Sequence, residues 1–165
     1  PLHMKDGSHE LEIIGFVISL HIVGMYAIAP AIGWLVDHIG VGPLLITGGA
    51  LLFLGSELAA HTDKSDSLGV FVGLFLIGVG WSCGLVASSA LLTKTFDGAE
   101  RVRVQGLADL VMTASGGLAG IGSGLLVAGT DYQTMSHNAA FVGLVPIVGY
   151  ILFELTKNKK SFNKL

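Results

Sequence analysis

The stretch Ile13-Ile14-Gly15-Phe16-Val17-Ile18-Ser19-Leu20-His21-Ile22-Val23-Gly24-Met25-Tyr26-Ala27-Ile28-Ala29-Pro30-Ala31-Ile32-Gly33-Trp34-Leu35-Val36 decides the fold. Its 24 residues, between Glu12 and Asp37, carry no formal charge. A helix crossing a bilayer needs about 20 apolar residues, so this run is long enough to span. His21 stands toward its middle. An ionisable ring at that depth is costly and is read by default as functional.

Four further runs of spanning length follow. The expected spans are 13–36, 43–60, 67–93, 104–128 and 138–156. All are too long for strands, and lipid admits only helices or closed barrels. The alternation of barrel strands is absent. The expectation is an all-α, polytopic membrane helix bundle of about five transmembrane helices, forming one transmembrane domain over residues 1–165.

Composition agrees. Mean hydropathy is +0.72. Charged residues make up 13%, against roughly 25% in soluble domains. The 24 glycines fit membrane helices, where glycine is frequent. A net charge of −3 gives no basic footprint for nucleic acid. The single Cys83 excludes an internal disulfide and a Cys-rich zinc site. No cofactor is implied. His3, Met4 and His9 have no specific metal spacing. The chain opens Pro-Leu-His-Met without the layout of a signal peptide, and a fragment of a longer protein is expected.

The loops are short and polar. Alternating helices sort the basic residues into two sets, seven (Lys94, Arg101, Arg103, Lys157, Lys159, Lys160, Lys164) against two (Lys5, Lys64). The positive-inside rule then places the C-terminus in the cytoplasm.

Asp109 lies inside the fourth run with Gln105 four residues earlier on the same helix face. It reads as a proton or cation site, a gate near the cytoplasmic mouth, or a structural partner of Arg103. Asp37 ends the first run, where a carboxylate opposes the helix dipole and calls for another partner. Gly33, one turn earlier, leaves room for close helix approach. Glu57 and Glu154 lie near helix ends and read as solvated. Trp81, Ser82, Ser88 and Ser89 offer polar groups for a cavity, or hydroxyls bonded back to their own helix. Gly69 and Gly73, Gly80 and Gly84, and Gly116, Gly120 and Gly124 form small-residue stripes read as packing faces.

The segment Gly33-Trp34-Leu35-Val36-Asp37-His38-Ile39-Gly40-Val41-Gly42 resembles the G-x-L-x-D-R-x-G-R-R loop of major facilitator superfamily transporters. Gly33, Leu35, Asp37 and Gly40 match; His38, Val41 and Gly42 occupy the basic slots. That pattern is similar to the weaker copy of the loop, between the eighth and ninth helices. The resemblance implies a partial fold of that family, helices eight to twelve, with residues 1–4 left from helix seven. The stretches 17–26 and 100–109 are similar to helices eight and eleven. The fold so implied has two halves rocking about a central site. It implies secondary transport of a small solute or drug, including efflux, coupled to protons. The implied partners are the lipid bilayer, the substrate, protons and a missing N-terminal transporter half, in a bacterial inner membrane. The pathway candidates are His21, Tyr26, Trp81, Gln105 and Asp109, and the gating loop is Gly33, Asp37 and Gly40.

A non-transporting membrane scaffold or partner subunit stays open as the alternative. No nucleophile–base pair, phosphate loop or metal cluster marks an enzyme, and no filter signature marks a channel.

Overall fold

A computed structural model describes residues 11–63 and 67–162. The residues 1–4 read as the end of a preceding helix, together with Lys5, His9, Lys64 and Lys164, lie outside the described residues. Among the described residues, seven helices follow one another: α1 Leu11–Tyr26, α2 Ala29–Ile39, α3 Val41–His61, α4 Ser67–Thr95, α5 Gly98–Gly129, α6 Tyr132–Gly143 and α7 Val145–Phe162. No strand occurs among the described residues. They make five stretches long and apolar enough to cross a membrane: Glu12–Ile39, Val41–His61, Leu68–Thr95, Gly98–Gly129 and Tyr132–Thr156.

Two of the five are broken, and each break precedes a proline. Pro30 lies in the first turn of α2, where its missing N–H costs no helical bond. Its ring is incompatible with an unbroken helix through the carbonyl four residues back, that of Tyr26, and α1 ends there. Pro146 acts likewise on Val142. The chain turns at Leu144, whose N–H bonds Phe141 O at 3.1 Å, and α7 begins. The fourth stretch starts six residues before the expected 104, because α5 opens at Gly98 in the left-handed region (φ +53°).

Helix α3 is the hub. It packs antiparallel to α4 on one side and to α6 and α7 on another; α1 lies parallel to α4. Glycine governs these approaches. A Cβ on Gly48 would stand 2.9 Å from Gly80 O, and one on Gly80 would stand 2.8 Å from Gly48 O. Gly49 meets Ile147 and Gly143 across the α3–α7 seam. In lipid, such backbone contact supplies the packing energy that water would otherwise drive. One core cluster joins Ile32 and Val36 of α2 to Leu44 of α3 and Cys83 and Ala87 of α4. A second joins Ile14 and Val17 of α1 to Val70 of α4.

Five expected packing positions have no neighbour among the described residues. Gly116, Gly120 and Gly124 have no atom within 4 Å of an added Cβ, and α5 has no buried residue. That helix meets mainly its chain neighbours α4 and α6, so among the described residues its small-residue stripe faces no other helix. Gly33 and Gly84 are equally open.

Candidate functional site

The α1–α4 seam gathers three of the five pathway candidates. His21 Nδ1 lies 2.6 Å from Leu74 O. That carbonyl only accepts, so Nδ1 carries the proton and, in the neutral ring, Nε2 presents its lone pair. Gly78 makes this possible, since a Cβ there would sit 2.5 Å from His21 O and 3.3 Å from its Nδ1. Gly24, one turn on, likewise allows close approach, since a Cβ there would stand 3.0 Å from Phe75 O. Beyond it Tyr26 meets Trp81 edge to face, with ring centroids 5.6 Å apart. His21 and Trp81 are half-buried, whereas Tyr26 is exposed. The seam thus presents an imidazole, a phenol and an indole along one line, beside the stacked rings of Phe16 and Phe71.

The other two candidates form a separate group on α5. Gln105 Nε2 donates to Asp109 Oδ1 at 3.0 Å. Gln105, not Arg103, is the partner of Asp109, as i, i+4 spacing favours. Arg101 is engaged at the preceding turn, donating from Nε to Phe96 O at 2.9 Å and pairing with Asp97 at 3.2 Å. Asp109 is exposed. No described contact joins this pair to the His21 group.

The loop candidates meet at the basic end. Gly40 takes φ +88°, a conformation costly for any residue with a Cβ. Its N–H bonds Val36 O at 3.0 Å, so it ends α2 and opens α3 in one residue. Asp37 finds the partner that the helix dipole denies it in Lys94 of α4, at 3.6 Å. Lys94 was legible as a loop cation but not as this partner. The basic slots of the loop motif are empty of Arg and Lys, and the neighbouring helix end supplies the charge. His38 instead bonds Trp34 O at 2.7 Å.

Two readings from sequence are corrected. Glu57 is not solvated: its side chain is 20% exposed and faces His137. Ser82 is fully buried, with no hydrogen-bond partner for its hydroxyl among the described residues, and lines no open surface. Ser88 bonds back to Leu85 O at 3.1 Å, the local alternative.

The chain is 34% identical over 150 residues to the "Uncharacterized MFS-type transporter YdeG" of Bacillus subtilis, covering 90% of this chain and 35% of that protein. It is 25% identical over 161 residues to the "Riboflavin transporter RfnT" of Brucella anthropi, covering 94% and 37%. It is 29% identical over 147 residues to the "Multidrug resistance protein MdtL" of a Shewanella strain, covering 88% and 36%. The chain therefore spans little more than a third of these relatives' length. No solved structure gives a significant match. The Major Facilitator Superfamily profile matches residues 1–164, and with five spans and an Asp37–Gly40 loop between the first two, the chain belongs to that superfamily of membrane transporters.

Proposed function

We propose that this chain forms part of a proton-coupled permease for a small solute or drug, with the α1–α4 seam facing the substrate pathway. The observation that carries the reading is His21, half-buried within a membrane span. One ring nitrogen is committed to Leu74 O at 2.6 Å and the other is left to exchange. An imidazole changes charge between pH 5 and 8, so it can load and release a proton while Tyr26 and Trp81 offer aromatic faces to a planar or cationic solute. Gln105 and Asp109 form a second polar station on α5.

The relatives' names support the substrate class only broadly, one naming riboflavin and another multidrug resistance. The chain acts in transport and not in catalysis, and its C-terminus lies in the cytoplasm of a bacterial inner membrane. The further partner is the N-terminal half of a transporter. This reading is supported by α5, which has no buried residue and awaits a second wall.

The test is flux in proteoliposomes of the full-length gene product, with ethidium and riboflavin as probes and an imposed proton gradient. Gradient-dependent flux of either probe, lost in His21→Ala and in Asp109→Asn, is expected. Normal flux in both variants would remove these residues from the mechanism. The chain of residues 1–165 alone is expected to give no flux, and measurable flux from it would overturn the need for a second half.

A further inference from the structure

The end of α3 away from Lys94 carries an arrangement that the transport reading does not use. His137 of α6 places Nδ1 2.7 Å from Glu57 Oε1. That oxygen is fully buried and has no aligned hydrogen-bond donor among the described residues. The His137 side chain is 51% exposed, so one side of the pair is open to water and the other is sealed in the helix seam. The His137 ring stands edge-on to Phe141, centroids 5.0 Å apart, and Phe141 in turn packs on Phe53 of α3 at 6.0 Å. The imidazole is therefore held by a neighbour that itself spans the α3–α6 seam.

Proton counting gives the consequence. A neutral imidazole with its proton on Nδ1 donates to the carboxylate, so the 2.7 Å contact is attractive without an added proton. A second proton taken up at Nε2 makes the ring an imidazolium and turns the contact into a charge-assisted bond that compensates the mostly buried carboxylate. Losing it leaves a neutral donor facing the charge, a weaker tie.

Among the described residues, His61 does not replace His137. His61, on the same helix, lies 3.6 Å from Glu57 Oε2, but its Nδ1 bonds the Glu57 carbonyl at 2.9 Å. Asp63 follows α3; Asp131 and Tyr132 open α6. From α4 the groups facing this part of α3 are Gly73 and Ile77, neither titratable. Helix α7 meets α3 toward its other end, at Gly49 and Gly42.

We propose that Glu57 and His137 form a proton-binding site that clasps α3 to α6 at the end of the bundle opposite Lys94. The proton passes to and from the exposed Nε2 edge of the imidazole, while Nδ1–H stays on Glu57. The seam is held by a charged pair when that proton is bound and by a weaker neutral hydrogen bond, hence more loosely, when it leaves.

Spin labels at Leu58→Cys and Asn138→Cys, in a Cys83→Ala background of the full-length gene product in lipid nanodiscs, report the α3–α6 distance. Measurements at about pH 6 and about pH 8.5 bracket the imidazole range. The expected result is a single short distance at the lower pH and a longer, broader distribution at the higher. Glu57→Gln and His137→Phe, which keeps the ring on Phe141, are each expected to abolish the pH response, and His61→Asn to keep it. An unchanged distance in the parent would overturn the proposal. So would a response retained in both Glu57→Gln and His137→Phe, or one lost only in His61→Asn. Circular dichroism of each variant at both pH values separates clasp opening from unfolding. None of these outcomes depends on flux.

Discussion

Gly55 and Gly73 face each other so closely that a methyl on either would press on the other's backbone. A Cβ on Gly55 would lie 2.7 Å from Gly73 O, and one on Gly73 would lie 2.9 Å from Gly55 O. Both obstacles are main-chain atoms, which cannot rotate aside as a side chain can. Gly55→Val or Gly73→Val must push α3 and α4 apart, and overpacking of this kind costs about 1–3 kcal/mol. Gly120→Val on α5 meets nothing within 4 Å and is expected to change stability by less than about 0.5 kcal/mol. Unfolding of purified protein in mixed micelles by a denaturing detergent distinguishes the two. Equal sensitivity at Gly55 and Gly120 would refute the seam.

His21 combines a structural bond with the proposed proton role, and the two separate experimentally. His21→Ala removes the bond to Leu74 O, a net loss of about 1 kcal/mol. His21→Asn offers an amide N–H for the same carbonyl but cannot take up a proton near neutrality. The expected outcome is stability largely restored in His21→Asn while gradient-driven flux stays lost. Flux that follows stability across both variants would make His21 a packing residue only.

Much of the fold was legible because spanning length is a strong constraint, as the charge-free run between Glu12 and Asp37 shows. The breaks were also written in the sequence, at Pro30 and Pro146, but apolar length alone hides them. Gly116, Gly120 and Gly124 misled for a different reason. Four-residue glycine spacing shows that a helix can be approached closely, not that a partner within the same chain does so. The site was less legible. The contact between His21 and Leu74, and that between Glu57 and His137, each join residues far apart in sequence. They depend on helix register, which no local pattern encodes. Lys94 was visible only as a loop charge, and its meeting with Asp37 depends on how α2 and α4 end together.

Asp131 supplies a pH dependence with a definite sign. Its carboxylate accepts the Thr134 backbone N–H at 2.6 Å and caps α6. The hydrogen bonds from the Thr134 backbone and side chain hold its pKa below the ordinary carboxylate value. A depressed folded-state pKa stabilises above the unfolded value, and that contribution disappears as pH falls through the folded one. The cap of α6 is therefore present at neutral pH and is lost only in acid, as the pH falls through a folded-state value held below that of an ordinary carboxylate. Asp131→Asn retains an oxygen able to cap but cannot titrate. Melting curves from neutral to acid pH should show a steeper acid decline in the parent than in Asp131→Asn. Parallel declines would mean that the cap bond does not govern this titration.

Asp37 and Lys94 lie 3.6 Å apart with side chains 73% and 57% exposed. Exposed pairs are worth under about 1 kcal/mol and weaken with salt. Lys94→Gln should therefore barely alter stability. In Lys94→Glu, two carboxylates meet at the turn where Gly40 joins α2 to α3, and repulsion spreads this end of the bundle. If the loop gates the pathway, Lys94→Glu slows flux in the full-length protein, high salt partly relieves the defect, and the exchange Asp37→Lys with Lys94→Glu recovers more of the rate than either single change. The coupling term from this double-mutant cycle is the quantity to measure. A term of zero in flux would leave the pair a surface contact and detach Asp37 from gating.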